Sequence, residues 1–400
     1  MKGREEGYRT QQADYLLDYD RRNILRCADT FEDLALAVCR MDREREQEEN
    51  RDGDREELWR QRRAQEGKRA QAFYLKQASD LMQSVARTKV QILRLGGRQE
   101  KMIVRALAGE GILVKDICLV KGAESEIEIC VCLCTKKKIS VTAAELADYL
   151  SVLMDIRLVS EKGNPYFIGE EPVTLYFEKE PDFCCMTASA TAIRENEAQS
   201  GDSFSFFEED GKMTIILSDG VGSGEEAARD SSRIVDLTER ILSAGLSCQA
   251  TVDMLNGMFC ESEEEIRMPT LDLCRIDLKK GVCSIAKAGG VSTFIKRGQL
   301  VEKVSVDSLP LGLSQEPGGE EIERPLKEGD MVILLTDGVV EDWPCMDGEF
   351  FLMQQMEQMT VTSPVDMANL LLQYAIGQSQ GRIRDDMTVL VAGIWGNAPK

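Results

Sequence analysis

The sequence predicts an α+β chain in which a charged helical arm and a long helix lead into a small α/β domain and then a larger domain built on buried strands. Three observations carry this. Charge dominates residues 1–68, most densely from Asp42 to Arg69. Apolar positions between Tyr74 and Leu95 recur at alternating steps of four and three. Beyond them, short, apolar, partly β-branched runs alternate with helical patterns. At 400 residues and 43% apolar content the chain has material for two or three cores.

Residues 1–68 read as a mostly helical, solvated arm, within which Thr30 is a fitting N-cap for a short amphipathic stretch through Leu34, Val38 and Met41. The stripe Ala78, Leu81, Val85, Thr88, Ile92 and Leu95 predicts one long helix from Tyr74, ended by Gly96-Gly97. Such a stripe serves either packing within its own domain or an intermolecular or interdomain coiled coil. Strands are expected at Ile112–Val120, Ile127–Cys134 and Val173–Phe177, with a helix at Ala143–Met154. This second section, residues 69–183, carries no chemical motif, so its expected role is regulatory or structural. Cys130, Cys132 and Cys134 alternate with Ile129, Val131 and Leu133, the pattern of small strand side chains rather than a zinc site.

The third section, residues 184–397, holds the chemistry. Apolar runs at Met213–Leu217 and Met331–Leu335 end in Ser218-Asp219-Gly220 and Thr336-Asp337-Gly338, while Met387–Val391 begins just after Asp385-Asp386. Placing the third run antiparallel brings all three acidic ends to one edge. Taken singly, each Asp-Gly is an ordinary turn signal; three together, with a fourth in Ser200-Gly201-Asp202-Ser203, predict like charges that need a cation. Gly220-Val221-Gly222-Ser223-Gly224 ahead of a helical pattern from Glu225 to Leu242 presents backbone N–H groups to an anion or simply allows a tight turn; it is not a Walker A loop.

Composition narrows the chemistry. The chain has no histidine, which removes Ser-His-Asp and Cys-His catalysis and leaves carboxylates acting through a hard cation, Mg²⁺ or Mn²⁺. Cys39 and Arg45 satisfy Cys-x5-Arg, but in a charged helical run without a phosphate loop. A net charge of -21 argues against nucleic acid as a partner. Thirteen scattered cysteines fit a reducing compartment, and neither a membrane span nor a signal-peptide core occurs, so the expected location is cytoplasmic.

In order, Ser200-Gly201-Asp202, Leu217 through Gly224, Thr270-Leu271-Asp272, Phe294 through Gly298, Leu309-Pro310-Leu311-Gly312, Leu335 through Val339 and Asp385 through Thr388 resemble the metal-dependent type 2C protein phosphatases, and within them the sporulation branch. The resemblance runs over roughly residues 69–395. It implies a β-sandwich flanked by helices with two Mn²⁺ or Mg²⁺ ions at the strand ends. Asp219 would bridge both ions and the Gly220 carbonyl would complete one shell. Asp337 and Asp385 would hold the other ion, with Asp386 beside them as a further metal residue where many relatives carry Asn, and Asp202 would orient the attacking water. The implied catalytic set is therefore Asp202, Asp219, Asp337 and Asp385. Many relatives carry His two residues after the bridging Asp; here that position is Val221.

The implied activity is protein-serine phosphatase action on a phosphorylated anti-anti-sigma factor, which activates a sporulation sigma factor. The implied partners extend to the cell-division machinery and to further copies of the chain, and a multipass membrane region, absent from these 400 residues, usually precedes the branch. The alternative is a catalytically silent regulatory scaffold that binds a signalling partner.

Overall fold

The computed structural model describes residues 91–397 apart from 122–126, 137–138, 244–245, 261–267, 315–318 and 342–346, together with isolated positions between Ile24 and Gln83. Most of the charged arm, the Thr30 cap and the stripe positions Tyr74, Leu81, Val85 and Thr88 lie outside the described residues. The chain divides into two compact units, with Ala78–Glu180 in one and Pro181–Lys400 in the other.

In the first unit, Ala78, Ser79, Met82 and Gln83 are helical, but the expected helix does not continue to Leu95. Gln91–Leu93 is instead strand β1, with Ile92 opposite Val120 of β2 (Ile112–Lys121). Strand pairing there satisfies the backbone, and Leu95 joins the α/β core rather than a helix stripe. Gly96-Gly97 likewise opens a helix instead of ending one: Gly96 is the N-cap of α1, Gly97–Gly109. The sheet continues with β3 (Ile127–Thr135), then β7 (Val173–Lys179) and β5 (Leu158–Ser160), while β4 (Val141–Thr142) pairs with β6 (Phe167–Ile168). Helix α2, Ala143–Met154, starts from a full capping box: the Glu145 N–H donates to Thr142 Oγ1, and the Glu145 carboxylate accepts from the Thr142 N–H. Ile129, Val131 and Leu133 of β3 point into the core with Ile103 and Leu107 of α1 and Leu146 and Leu150 of α2.

The second unit is a four-layer stack of helices, sheet, sheet and helices. One sheet runs β15 (Ile322–Pro325), β12 (Val282–Ala288), β11 (Leu271–Asp277), β10 (Lys212–Asp219), β9 (Asp202–Glu209). The other runs β14 (Leu300–Val304), β13 (Thr293–Arg297), β16 (Met331–Leu335), β17 (Met387–Gly396), β8 (Phe183–Ala192). All pairings are antiparallel, including β16 with β17, as the acidic-edge argument requires.

Every residue of Met331–Leu335 is buried because the strand is covered on both sides. Val332 and Leu334 meet Ile215, Leu217 and Leu390 inside the sandwich. Met331, Ile333 and Leu335 face α5 (Gly348–Gln358) and α6 (Pro364–Gln378) through Leu352, Met356, Met367 and Leu371. On the far side, Ile216, Leu271 and Leu273 pack against α3 (Glu225–Ser243) and α4 (Cys248–Cys260). A continuous apolar run is thus the signature of a strand between two layers, with alternation hidden because neither face is wet. No helix among the described residues is long and apolar enough to cross a membrane.

Leu390 is fully buried between the sheets. Leu390→Ala should therefore destabilise this unit by about 2–5 kcal/mol, read as a lower urea midpoint and faster amide exchange in β16 and β17.

Candidate metal centre

The acidic residues gather at one open end of the sandwich because the strands that carry them alternate in direction. β10 ends at Asp219 and β9 begins at Asp202, which stand opposite each other in register. In the second sheet β16 ends just before Asp337, and β17 begins just after Asp385-Asp386. Asp337 starts a 3₁₀ turn, Asp337–Val339, that carries the chain away from the strand.

Backbone bonds hold these ends. The Asp219 N–H donates to Thr270 Oγ1 at 3.3 Å, and the Asp219 carbonyl accepts from the Thr270 N–H at 3.0 Å. Ser218 Oγ donates to the Thr270 carbonyl at 2.8 Å, so Thr270, just ahead of the neighbouring strand, holds both Ser218 and the metal-bridging candidate. Between the sheets, Thr336 Oγ1 donates to Asp202 Oδ2 at 3.0 Å while accepting from the Thr388 N–H at 2.9 Å. Residue type alone does not mark Thr336; its sequence signal is a hydroxyl placed between an apolar strand and an Asp-Gly turn.

Asp386 is nearly fully buried, and both of its oxygens are engaged with backbone. Oδ2 accepts from the Gly201 N–H at 2.7 Å and Oδ1 from the Arg194 N–H at 2.9 Å. It fastens the 194–201 connection to β17. The neighbouring Asp385 is more open, and its Oδ1 accepts from the Asp386 N–H at 2.9 Å. The Arg194 side chain reaches the glycine-rich loop, where Nη1 donates to Ser223 Oγ at 3.2 Å, and Ser223 Oγ in turn donates to Glu197 at 3.2 Å.

The electrostatics are those of crowded carboxylates. Burial, then the charges of Asp202, Asp337 and Asp385, push the Asp219 carboxyl up to about 10, and Asp219 lies within hydrogen-bond reach of Asp337. Burial pushes Asp202 up to about 6 against the opposing bond from Thr336. Asp385 is raised as well, by burial first and then by the Asp337 and Asp386 charges, with Arg194 opposing. Carboxylates so placed cannot all ionise unless something positive stands between them. As they stand, no three acidic or cysteine side chains among the described residues converge on one point. Asp202 Oδ1 and Asp337 Oδ1 are buried and accept no hydrogen bond, an expensive state for such oxygens. An oxygen-only donor set with spare buried lone pairs fits Mg²⁺ or Mn²⁺.

Two glycines permit the close approach. A Cβ on Gly338 would collide with the Asp386 carbonyl, and one on Gly220 with the Ala227 carbonyl in the first turn of α3. Val221 is about half exposed at the rim and offers no proton. Gly338→Ala is expected to displace the Asp385-Asp386 turn and cost about 1–3 kcal/mol, seen as a lower thermal midpoint. Gly222→Ser, with open space around its Cβ but a φ of 88°, should cost less.

Comparison with known proteins places these features in one family. Residues 209–395 match the family model described as Stage II sporulation protein E (SpoIIE). Stage II sporulation protein E of Bacillus subtilis (strain 168) is 28% identical over 344 residues, 85% of this chain and 41% of the relative. The protein of the same name from Priestia megaterium is 32% identical over 216 residues, 54% of this chain and 37% of the relative. The chain thus spans less than half the length of these two relatives. Among solved structures, the PP2C phosphatase domain of the Bacillus subtilis cell fate determinant SpoIIE with a fragment of its regulatory domain superposes with a TM-score of 0.57. It is 28% identical, and the match covers 76% of this chain and 88% of that one. The β-sandwich between helix layers, with its acidic end, is the PP2C fold, and over residues 209–395 this chain belongs to the SpoIIE family.

Proposed function

We propose that the chain is a metal-dependent protein-serine phosphatase whose substrate is a phosphorylated anti-anti-sigma factor. One observation carries the reading: the strand ends that bear Asp202 and Asp219 in one sheet and Asp337 and Asp385 in the other lie at the same end of the sandwich, where burial and then the neighbouring charges raise the Asp219 carboxyl. The family match and the name of a further relative support the substrate class. Phosphoserine phosphatase RsbU of Bacillus subtilis (strain 168) is 22% identical over 225 residues, 54% of this chain.

Asp219, the Gly220 carbonyl, Asp337 and Asp385 would hold two Mn²⁺ or Mg²⁺ ions, with Asp386 buttressing Asp385 through the backbone bonds it makes to Gly201 and Arg194. Ions held there supply Lewis-acid activation of water and screening of the phosphate charge. The chain's own work is positional. Thr270 and Ser218 fix the Asp219 backbone, and Thr336 fixes one oxygen of Asp202, leaving Oδ1 free to orient the attacking water. With Val221 at the position where many relatives carry His, no imidazole there protonates the leaving serine. Homo-oligomerisation and control by the first unit belong to the same reading.

Mn²⁺-dependent release of phosphate from a phosphoserine-bearing anti-anti-sigma protein tests it. Asp337→Asn should lower the rate by more than about a hundredfold, and EDTA should abolish it reversibly. No release at any metal concentration would sink the enzyme and favour the silent scaffold.

A further inference from the structure

The Thr270-Leu271-Asp272 motif contributes more than Thr270. Leu271 and Leu273 face the α3 and α4 layer, so Asp272 points the other way, into the sandwich, where Leu217 is its partner in β10. Lys287 of β12 stands opposite Asp272 in register, and Ile285, two residues earlier on β12, faces the sandwich interior. Both ionic side chains are almost wholly buried, with Lys287 Nζ 2.7 Å from Asp272 Oδ2. The same ammonium donates to Thr293 Oγ1 at 3.1 Å. Thr293 begins β13, which belongs to the second sheet. The bridge therefore crosses the interior from one sheet to the other.

Its height in the stack matters. Asp272 is level with Leu217, two residues before Asp219 on β10, and two residues after Thr270, which grips the Asp219 backbone. On the other sheet, Thr293 lies one residue beyond the Phe294 and Ile333 pair, toward the end of β16 that leads into Asp337. The bridge thus lies about 7 Å beneath the acidic end, one strand repeat below it. One side of it is on the strand beside the one that ends in Asp219, the other on the strand beside the one that leads into Asp337. The 289–290 turn is also fitted to it: Gly290 has a φ of 75°, and a Cβ there would lie 3.0 Å from Asp272 Oδ1.

Stability alone does not account for such a bridge. Apolar residues of similar volume in place of a buried ion pair are often as stable or more so, because two charges have been taken from water. A hydrogen-bonded link instead fixes a distance, and a two-sheet ion site requires a fixed distance. We propose that the Asp272, Lys287 and Thr293 bridge sets the spacing between the two carboxylate-bearing sheets, so that Asp272 and Lys287 act as positioning residues for Asp219 and Asp337. This rests on the reading of the acidic end as a divalent-ion site.

Calorimetric titration of the full chain with Mn²⁺, with thermal unfolding and phosphate release followed on the same samples, tests the proposal. Thr293→Val keeps the ion pair and removes only the link between sheets, while the double variant Asp272→Leu with Lys287→Met replaces the pair by apolar groups. Both should hold a thermal midpoint close to that of the wild type yet bind Mn²⁺ about ten- to hundredfold more weakly, with much of the lost turnover recovered at saturating Mn²⁺. A bridge that is merely structural gives the reverse, a lower midpoint with unchanged Mn²⁺ affinity. Wild-type Mn²⁺ binding with the same affinity in Thr293→Val overturns the bridge and leaves the phosphatase reading standing. Absence of Mn²⁺ binding by the wild type overturns both.

Discussion

Repulsion among carboxylates at one end of a sandwich is the constraint to which the second unit is built. Asp202 and Asp219 are register partners on one sheet, and Asp337 and Asp385 stand at adjacent strand ends of the other. Burial and mutual charge drive Asp219 far above the ordinary carboxylate range. A fold that keeps such groups together has to hold their backbones firmly, since the side chains themselves push apart. The clamps are correspondingly dense: Thr270 and Ser218 on Asp219, Thr336 on Asp202, and Asp386 on the 194–201 connection.

The layers beneath serve the same end. Buried strands covered on both faces give the sandwich a stiff interior, with Leu334 and Leu390 filling the space between the sheets and Ile333 and Val391 packing on α5 and α6. Glycine at 220 and 338 lets backbone approach backbone where any side chain would collide, drawing the helix start and the acidic turn inward. Among the described residues, hydrogen bonds cross this apolar stack from Thr336 to Asp202 and from Lys287, itself paired with Asp272, to Thr293. Each ties the sheet bearing Asp219 to the sheet bearing Asp337.

The first unit follows a different logic. Its sheet buries one set of side chains, Ile129, Val131 and Leu133, against α1 and α2, while Cys130 and Cys132 stay half-buried. The heptad stripe does not run through to Leu95 because Ile92 and Leu95 suit a strand and a core as well as a helix stripe. Pairing of Ile92 with Val120 decided between them. Apolar spacing measures which residues seek burial; it does not say which backbone they will adopt when two solutions bury them.

Local chemistry, by contrast, was written in the chain. Apolar runs bounded by Asp-Gly, the absence of histidine and the antiparallel placement of Met387 after Asp385-Asp386 were enough to anticipate strands, their directions and an acidic edge, because strand burial and turn formation depend on near neighbours. The engagement of both Asp386 oxygens by backbone, the grip of Thr270 on Asp219 and the crossing of Lys287 to Thr293 were not legible in that way. Those bonds join residues from 6 to 192 positions apart, and only strand pairing within each sheet and the packing of one sheet on the other determine which of many similar hydroxyls, amides and ammonium groups come within reach.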